Sequence, residues 1–167
     1  MSNKTIRLSG IVEDSIVDGP GLRMTLFTQG CQFRCEGCHN ESTWPLDGGK
    51  EYELQEIQKR WRKNPLLSGI TFSGGEPTLQ AEQVLKLAKM AKKDGLDVML
   101  YTGNSYFEMS ERSEKAVAGL LDTVDYLIDG RFILKERSLD LKFRGSKNQR
   151  IIDMNKTRAN KKLEIIE

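Results

Sequence analysis

A chain of 167 residues with a formal net charge of +2 at pH 7 suits one domain with a hydrophobic core and leaves little room for a second. We therefore expect a single domain over residues 1–167. No apolar run approaches the roughly 18 residues that a membrane span needs, and the polar N-terminus is not followed by the apolar segment of a signal peptide. The expectation is a soluble, cytoplasmic protein with no membrane partner.

Strand patterns and helical patterns alternate along the chain. Six short apolar runs predict strands, the last more weakly than the others. They cover residues 5–12, 22–28, 69–74, 97–103, 125–130 and 150–154. Three segments with apolar residues at helical spacing predict helices. They cover residues 53–63, 80–95 and 110–124.

This alternation predicts an α/β fold built on a parallel sheet. Because a closed eight-stranded barrel needs at least about 200 residues, the predicted architecture is an incomplete, open TIM-like barrel with helices between the strands. In such sheets the ligand-binding loops follow the carboxyl ends of the strands. We therefore expect the loops after Thr28 and at residues 73–77, 101–104 and 129–131 to open onto one face.

All three cysteines lie in the first of these loops. Cys31, Cys35 and Cys38 form a C-x3-C-x2-C pattern. A disulfide would leave one thiol over, would close only a very small loop and would not persist in a reducing cytosol. Zinc takes four ligands, and His39, the only histidine, directly follows Cys38, which is a poor geometry for one tetrahedral ion. Three thiolates with one open coordination position favour an iron–sulfur cluster, with zinc as the alternative.

The segment SGGEP follows the third predicted strand. The adjacent Gly74 and Gly75 allow a backbone to approach a ligand closely, and Glu76 is a potential acceptor for an ammonium group. The same segment also fits an ordinary strand-to-helix turn with Pro77 at the helix start. Its functional interpretation therefore depends on the neighbouring cysteine loop.

CQFRCEGC followed by SGGEP resembles the radical S-adenosylmethionine superfamily. Within it, VDGPGLR, CEGCHNESTW and RGSKNQRIID are similar to patterns of the activating enzymes of anaerobic ribonucleoside-triphosphate reductase, a glycyl radical enzyme, and the resemblance covers nearly the whole chain. It implies an oxidoreductase that cleaves S-adenosylmethionine reductively to a 5′-deoxyadenosyl radical and installs a glycyl radical on the reductase. The implied partners are that reductase and a low-potential electron donor such as flavodoxin, without nucleic acid.

The resemblance also implies how the cofactors are held. Cys31, Cys35 and Cys38 would ligate a 4Fe–4S cluster, whose fourth iron would bind the methionyl amine and carboxylate of S-adenosylmethionine. The loop Ser73–Glu76, which includes Gly74 and Gly75, would hold the methionyl ammonium. With both cofactors supplying the reactivity, no acid–base or nucleophilic catalytic residue is expected.

Five further residues are candidates for contacts with S-adenosylmethionine. Many superfamily members carry an aromatic residue immediately before the third cysteine, where this chain has Gly37. Gly37 and His39 are both expected near the adenine, with His39 as the substitute aromatic. Asp129 together with Arg131 would bind the ribose or the carboxylate, unless they form a solvated turn. Thr102 would hydrogen-bond in the site, unless it merely finishes a strand.

Other features have plainer interpretations. The turn Asp18–Gly21 precedes the cysteine strand and is expected to form a lip of the site. Trp44 and Trp61 are interpreted as core or rim aromatics. Residues 135–162 hold ten Lys or Arg against three acidic residues, which predicts either a solvated face or a positive rim that steers an acidic partner. The rim residues expected to act in this way are Lys156, Arg158, Lys161 and Lys162.

Three alternative functions remain open from the sequence. The first keeps the chemistry and changes the partner to pyruvate formate-lyase or another glycyl radical enzyme, although the RGSKNQR stretch and the short chain favour the reductase. The second acts on a small molecule without a protein partner, as the deazaguanine-forming members of the superfamily do. The third is a zinc-bound nucleic-acid adaptor that uses the basic C-terminal third.

Overall fold

The structure is a computed structural model that describes residues 4–38 and 40–166. Seven strands, five α-helices and three short 3-10 helices make up the regular structure of these residues. The strands are β1 Thr5–Ser15, β2 Arg23–Thr28, β3 Lys50–Glu53, β4 Gly69–Gly74, β5 Asp97–Tyr101, β6 Tyr126–Asp129 and β7 Arg150–Asp153. The helices are α1 Leu54–Arg62, α2 Ala81–Lys93, α3 Tyr106–Glu111, α4 Lys115–Thr123 and α5 Met154–Asn160.

The strands form one open sheet in the order β3-β1-β2-β4-β5-β6-β7. Its centre, β2-β4-β5-β6, is parallel, whereas β1, β3 and β7 pair antiparallel at the two sides. The predicted α/β class and open, barrel-like sheet are confirmed, and the directions of the outer strands correct the expectation of a wholly parallel sheet. Only residues 16–22 join β1 to β2, and a connection that short cannot make a parallel crossover, which needs a dozen or more residues.

Helices cover one face of the sheet and create the main hydrophobic core. Strand residues such as Leu26, Phe72 and Leu100 are fully buried there against Ile57 of α1 and Leu87 of α2. Successive strand residues point to opposite faces, so the other, concave face receives a smaller cluster around Met99, Ile128 and Ile151. The structure contains no helix, within the residues it describes, that is long and apolar enough to cross a membrane.

The concave face also contains a fully buried arginine. Arg23 donates through Nε to Thr71 Oγ1 at 2.7 Å and through Nη1 to the Pro20 carbonyl at 2.9 Å, and its guanidinium pairs with Asp97. The turn Asp18–Gly21 packs directly on this side chain, because a Cβ at Gly19 would lie 2.7 Å from Arg23 Cδ. The turn therefore fills the concave side beneath the site, and the expectation that it forms a lip is wrong.

The helices differ from the predicted segments in one respect that affects the site. The predicted helix 110–124 is divided into α3 and α4. Helix α3 begins earlier because Ser105 and Glu108 form a capping box, in which each side chain accepts a hydrogen bond from the other residue's backbone N–H. The start of α3 is thereby fixed beside the carboxyl end of β5.

Candidate active site

One cleft lies at the carboxyl ends of β2, β4, β5 and β6. The cysteine loop forms one wall, and the loops after β4, β5 and β6 form the rest. The predicted site residues that line it are Cys31, Cys35, Cys38, Ser73, Gly74, Gly75, Glu76, Thr102 and Arg131. Asp129 lines a neighbouring depression that shares Phe33 and Arg131 with the cleft. His39 lies outside the described residues.

The cysteine loop and the SGGEP loop are joined through their backbones. Gly75 N donates to the Thr28 carbonyl at 2.9 Å, and Glu76 N donates to the Gly30 carbonyl at 2.8 Å. Gly74 has φ +97°, which favours glycine, and a Cβ at Gly75 would collide with the Gly30 carbonyl oxygen. The two glycines are thus required for the close approach of the two loops.

Each cysteine sulfur lies near backbone hydrogen-bond donors. Burial raises the pKa of the Cys31 thiol, and hydrogen bonds from the backbone of Phe33 and Arg34 oppose that rise. Burial likewise raises the pKa of the Cys35 thiol, against a hydrogen bond from the backbone of Phe132. Asn40 N donates to the Cys38 sulfur at 3.4 Å. Such donors stabilise thiolates, which are the form that binds metal.

This donor set fits a 4Fe–4S cluster with one iron left open. The three thiols are free, half-buried and carried on one loop at the edge of a cleft. Among residues 4–38 and 40–166, no three Cys, His, Asp or Glu side chains converge on a single metal ion. A cluster needs no such convergence, because each thiolate binds a different iron atom.

Glu76 is the centre of a buried hydrogen-bond network behind the cysteines. Its side chain is 1% exposed; Oε2 accepts from the backbone and hydroxyl of Thr78 and from Thr102 Oγ1 at 2.8 Å. Oε1 accepts from Gly103 N at 2.7 Å. Burial raises the pKa of this carboxyl, and the four hydrogen bonds act against that rise.

The direction of these hydrogen bonds favours the ionised carboxylate. Thr102 Oγ1 accepts from the backbone and the side-chain amide of Asn104 at 3.0 and 2.9 Å, so its own proton is left to donate to Glu76. Thr78 Oγ1 accepts in the same way from Arg112 at 2.8 Å. Thr102 therefore orders Glu76, and its predicted contact with the cofactor stays a prediction.

Asp129 and Arg131 have different surroundings, although both are predicted to bind the ribose or the carboxylate. Asp129 is 1% exposed and is held by Arg150 through two hydrogen bonds of 3.0 and 2.6 Å and by Tyr106 N at 2.7 Å. The Arg131 guanidinium instead lies over the Phe33 ring, 4.5 Å from its centroid. Asp129 thus joins β6 to β7 and α3, whereas Arg131 lines the cleft. Their predicted contact with the ribose or the carboxylate stays a prediction.

Several aromatic residues of the cleft were not predicted as site residues. Phe33 packs against Gly103, where a Cβ would lie 2.5 Å from the ring. Phe132 and Leu134 cover Gly37, where a Cβ would lie 3.3 and 2.7 Å from them. The space beside the third cysteine is therefore filled from the loop after β6. Loop contacts of this kind leave no periodic signal in the sequence.

Known proteins are similar to this chain over the segments that form the cleft. Residues 17–152 match the family model described as a 4Fe–4S single cluster domain. The chain is 37% identical over 143 residues to the anaerobic ribonucleoside-triphosphate reductase-activating protein of Vibrio cholerae, covering 80% of this chain and 89% of that protein. It is 35% identical over 155 residues to pyruvate formate-lyase 1-activating enzyme of Escherichia coli, covering 89% of this chain and 61% of that enzyme. The solved structure of QueE from Escherichia coli aligns with a TM-score of 0.48 at 16% identity, over 60% of this chain and 53% of that one.

A family match over most of the chain, on the segment that carries the three cysteines, defines an iron–sulfur protein. The chain belongs to the 4Fe–4S single cluster domain family and is, within it, a radical S-adenosylmethionine enzyme that activates a glycyl radical enzyme. The predicted resemblance, the cluster and S-adenosylmethionine are thereby confirmed. The zinc adaptor is set aside, because the family is one of iron–sulfur proteins.

Proposed function

We propose that this protein activates anaerobic ribonucleoside-triphosphate reductase by installing a glycyl radical on it. One observation carries the choice of partner: the RGSKNQR segment, which resembles the activating enzymes of that reductase, forms part of the cleft. Gln149 Oε1 accepts from Gly145 N and Ser146 N at 2.9 and 3.1 Å, and Gln149 Nε2 donates to the Gly130 carbonyl at 3.0 Å. Asn148 donates to the Arg131 carbonyl at 2.8 Å. The segment therefore holds the loop after β6 in position.

The residues of the cleft have distinct proposed roles. Cys31, Cys35 and Cys38 bind the cluster. A bound cluster would supply the low-potential electron that cleaves S-adenosylmethionine into methionine and a 5′-deoxyadenosyl radical, and this radical would take a hydrogen atom from a glycine of the partner. Gly74 and Gly75 allow the methionyl group to approach the backbone closely.

Glu76 is proposed to accept a hydrogen bond from the methionyl ammonium. A carboxylate oxygen has two lone pairs, and Oε1 of Glu76 accepts from one donor, Gly103 N, among the residues that the structure describes. A buried carboxylate that faces a cleft with one acceptor position open suits a cation. The aromatic rings of Phe33 and Phe132 line the same cleft and exclude water from the bound cofactor.

The test is activation of a purified partner under anaerobic conditions. The protein is reconstituted with iron and sulfide, reduced, supplied with S-adenosylmethionine and mixed with either the reductase or pyruvate formate-lyase. We expect 5′-deoxyadenosine in both mixtures and a glycyl radical, detected by electron paramagnetic resonance, in the reductase alone. A glycyl radical that forms only in pyruvate formate-lyase would refute the proposed partner and leave the chemistry intact.

Activation of pyruvate formate-lyase is the second candidate, because the identity to its activating enzyme is nearly as high over more of this chain. A low-potential donor such as flavodoxin and a cytoplasmic location accompany both candidates, since the substrate proteins and the reducing power belong to that compartment. Replacing dithionite by reduced flavodoxin in the same assay tests the donor.

A further inference from the structure

The indole N–H of Trp44 is a buried donor for which the described residues supply no acceptor. The other tryptophan behaves as buried indoles usually do, since Trp61 Nε1 donates to Asp94 Oδ2 at 2.9 Å. Buried polar groups without a partner are rare in folded proteins, and each one calls for an explanation such as a bound group. The interpretation of Trp44 as an ordinary rim aromatic does not provide one.

The position of Trp44 indicates what the acceptor is. Trp44 lines the cleft together with Cys31, Cys35 and Cys38. Its carbonyl accepts from Cys31 N at 3.1 Å, and the Arg34 guanidinium lies over its ring at 5.5 Å from the centroid. Trp44 thus contacts the cysteine loop twice, through its backbone carbonyl and through its ring.

The backbone beside Trp44 is fixed from a second direction. Gly30 N donates to the Thr43 carbonyl, and Gln29 Nε2 donates to the carbonyls of Ser42 and Pro45 at 3.1 and 2.7 Å. Residues 42–45 therefore follow the start of the cysteine loop closely. The backbone that carries the Trp44 side chain is therefore fixed beside the three cysteines.

We propose that Trp44 Nε1 donates a hydrogen bond to an inorganic sulfide of the 4Fe–4S cluster. The inference rests on the proposed role of the three cysteines as cluster ligands. A hydrogen bond to sulfur stabilises the more negative, reduced cluster, and so raises its reduction potential. Trp44 therefore adjusts the reduction potential of the cluster and takes no direct part in the cleavage of S-adenosylmethionine.

The experiment uses the fact that the chain has two tryptophans. In Trp61→Phe, grown with indole-15N-tryptophan, Trp44 carries the only labelled indole, and its pocket is untouched. After reconstitution, iron and sulfide are counted, the cluster is reduced, and electron–nuclear double resonance is recorded. We expect a 15N coupling and a coupling from an exchangeable proton that disappears in deuterium oxide.

A second variant measures the effect on the potential. Trp44→Phe keeps an aromatic ring under Arg34 and removes the N–H, so we expect full iron content and a reduction potential shifted to a more negative value, with Trp61→Phe unshifted. A reduced cluster with no 15N coupling from Trp44, or an unshifted potential in Trp44→Phe at full iron content, overturns the inference. If neither Trp61→Phe nor the unaltered protein takes up iron, the proposed role of the three cysteines as cluster ligands is refuted instead.

Discussion

At the scale of single residues, Glu76 combines two roles that a sequence motif cannot separate. It orders the loops after β4 and β5 through Thr78, Thr102 and Gly103, and it is proposed to accept a hydrogen bond from the methionyl ammonium. A glutamine at this position would place its NH2 group against the N–H and O–H groups that donate to Glu76, so two donors would face each other without an acceptor. The network therefore depends on a carboxylate, whether or not a cofactor is bound.

We predict that Glu76→Gln weakens the binding of S-adenosylmethionine by roughly ten-fold to a hundred-fold. A lost charge-assisted hydrogen bond corresponds to about 1.5–3 kcal/mol. The measurement is calorimetry on the reconstituted protein, with iron content expected to be unchanged. Glu82→Gln, at an exposed position of α2, is the matched control. Equal affinity in both variants would leave Glu76 with its structural role alone.

Gly103 is a second residue whose role depends on one contact. A Cβ there would lie 2.5 and 2.6 Å from Phe33 ring atoms, and Phe33 belongs to the cysteine loop. We predict that Gly103→Ala displaces this loop and lowers the iron incorporated on reconstitution to less than half. Gly10→Ala is the control, because a Cβ at Gly10 meets nothing within 4 Å.

Rescue by a smaller side chain distinguishes this contact from a general loss of folding. Gly103→Ala combined with Phe33→Leu should recover most of the iron content, since leucine leaves room for the added methyl group. If the double variant binds no more iron than Gly103→Ala, the contact with Phe33 is not the cause.

At the scale of secondary structure elements, α1 and α2 are joined by one carboxylate. Asp94, at the end of α2, accepts from Arg62 Nε at 2.8 Å, from Trp61 Nε1 at 2.9 Å and more weakly from Gln58. Hydrogen bonds from Arg62 and Trp61 hold the pKa of Asp94 well below its ordinary value. No local pattern indicates this connection, because Asp94 stands in a typical helix-ending KKDG stretch.

We predict that Asp94→Asn lowers the free energy of unfolding at pH 7 by about 1 kcal/mol, which corresponds to a melting temperature lower by roughly 2–4 °C. The folded pKa is depressed, so the stabilising contribution is present above the unfolded pKa and is lost as the pH falls through the folded value. The difference between the two proteins in thermal denaturation should therefore shrink on acidification. A difference that is independent of pH would exclude the carboxylate as its source.

At the scale of the whole molecule, the basic C-terminal third divides into two surfaces. Arg158, Lys161 and Lys162 lie along a groove with Tyr106 and Ser110, apart from the cysteine cleft. Arg158 donates to the carbonyls of Leu121 and Val124 at 2.8 and 3.0 Å, and thus satisfies the end of α4. The expectation that these residues form the rim of the cofactor face is wrong, whereas Lys142 and Lys147 are exposed on the segment that contributes Gly145 and Gln149 to the lining of the cleft.

We therefore predict that Lys142→Glu with Lys147→Glu slows activation of the partner several-fold and flattens its dependence on salt, because a positive rim steers an acidic surface. Lys161→Glu with Lys162→Glu is the matched reversal on the other surface and should leave activation unchanged. Cleavage of S-adenosylmethionine without the partner should be normal in both. Equal activation rates in the two double variants would show that the charge near the cleft does not steer the partner.

The sequence alone determined the features that repeat or cluster over short distances. The period of apolar residues predicted the central strands and the helices α1 and α2 to within a few residues, and the spacing of Cys31, Cys35 and Cys38 predicted the cluster. It missed β3 and α5, because Lys50–Glu53 is a polar edge strand and Met154–Asn160 has few apolar residues. It also predicted one helix over residues 110–124 where the structure has α3 and α4, since the capping box of Ser105 was not recognised.

Only the tertiary structure decided how residues far apart in the chain share partners. Glu76 meets Thr102 across 26 residues, and Asp129 meets Arg150 across 21, so neither pairing could be read from a local pattern. The assignment of Trp44 likewise depends on a buried N–H, which is a property of its surroundings and not of its position in the sequence. The spacing of residues along the chain reflects the geometry of strands and helices. The hydrogen-bond partners of buried polar groups depend instead on how distant loops pack together, because each such group must find its partner there.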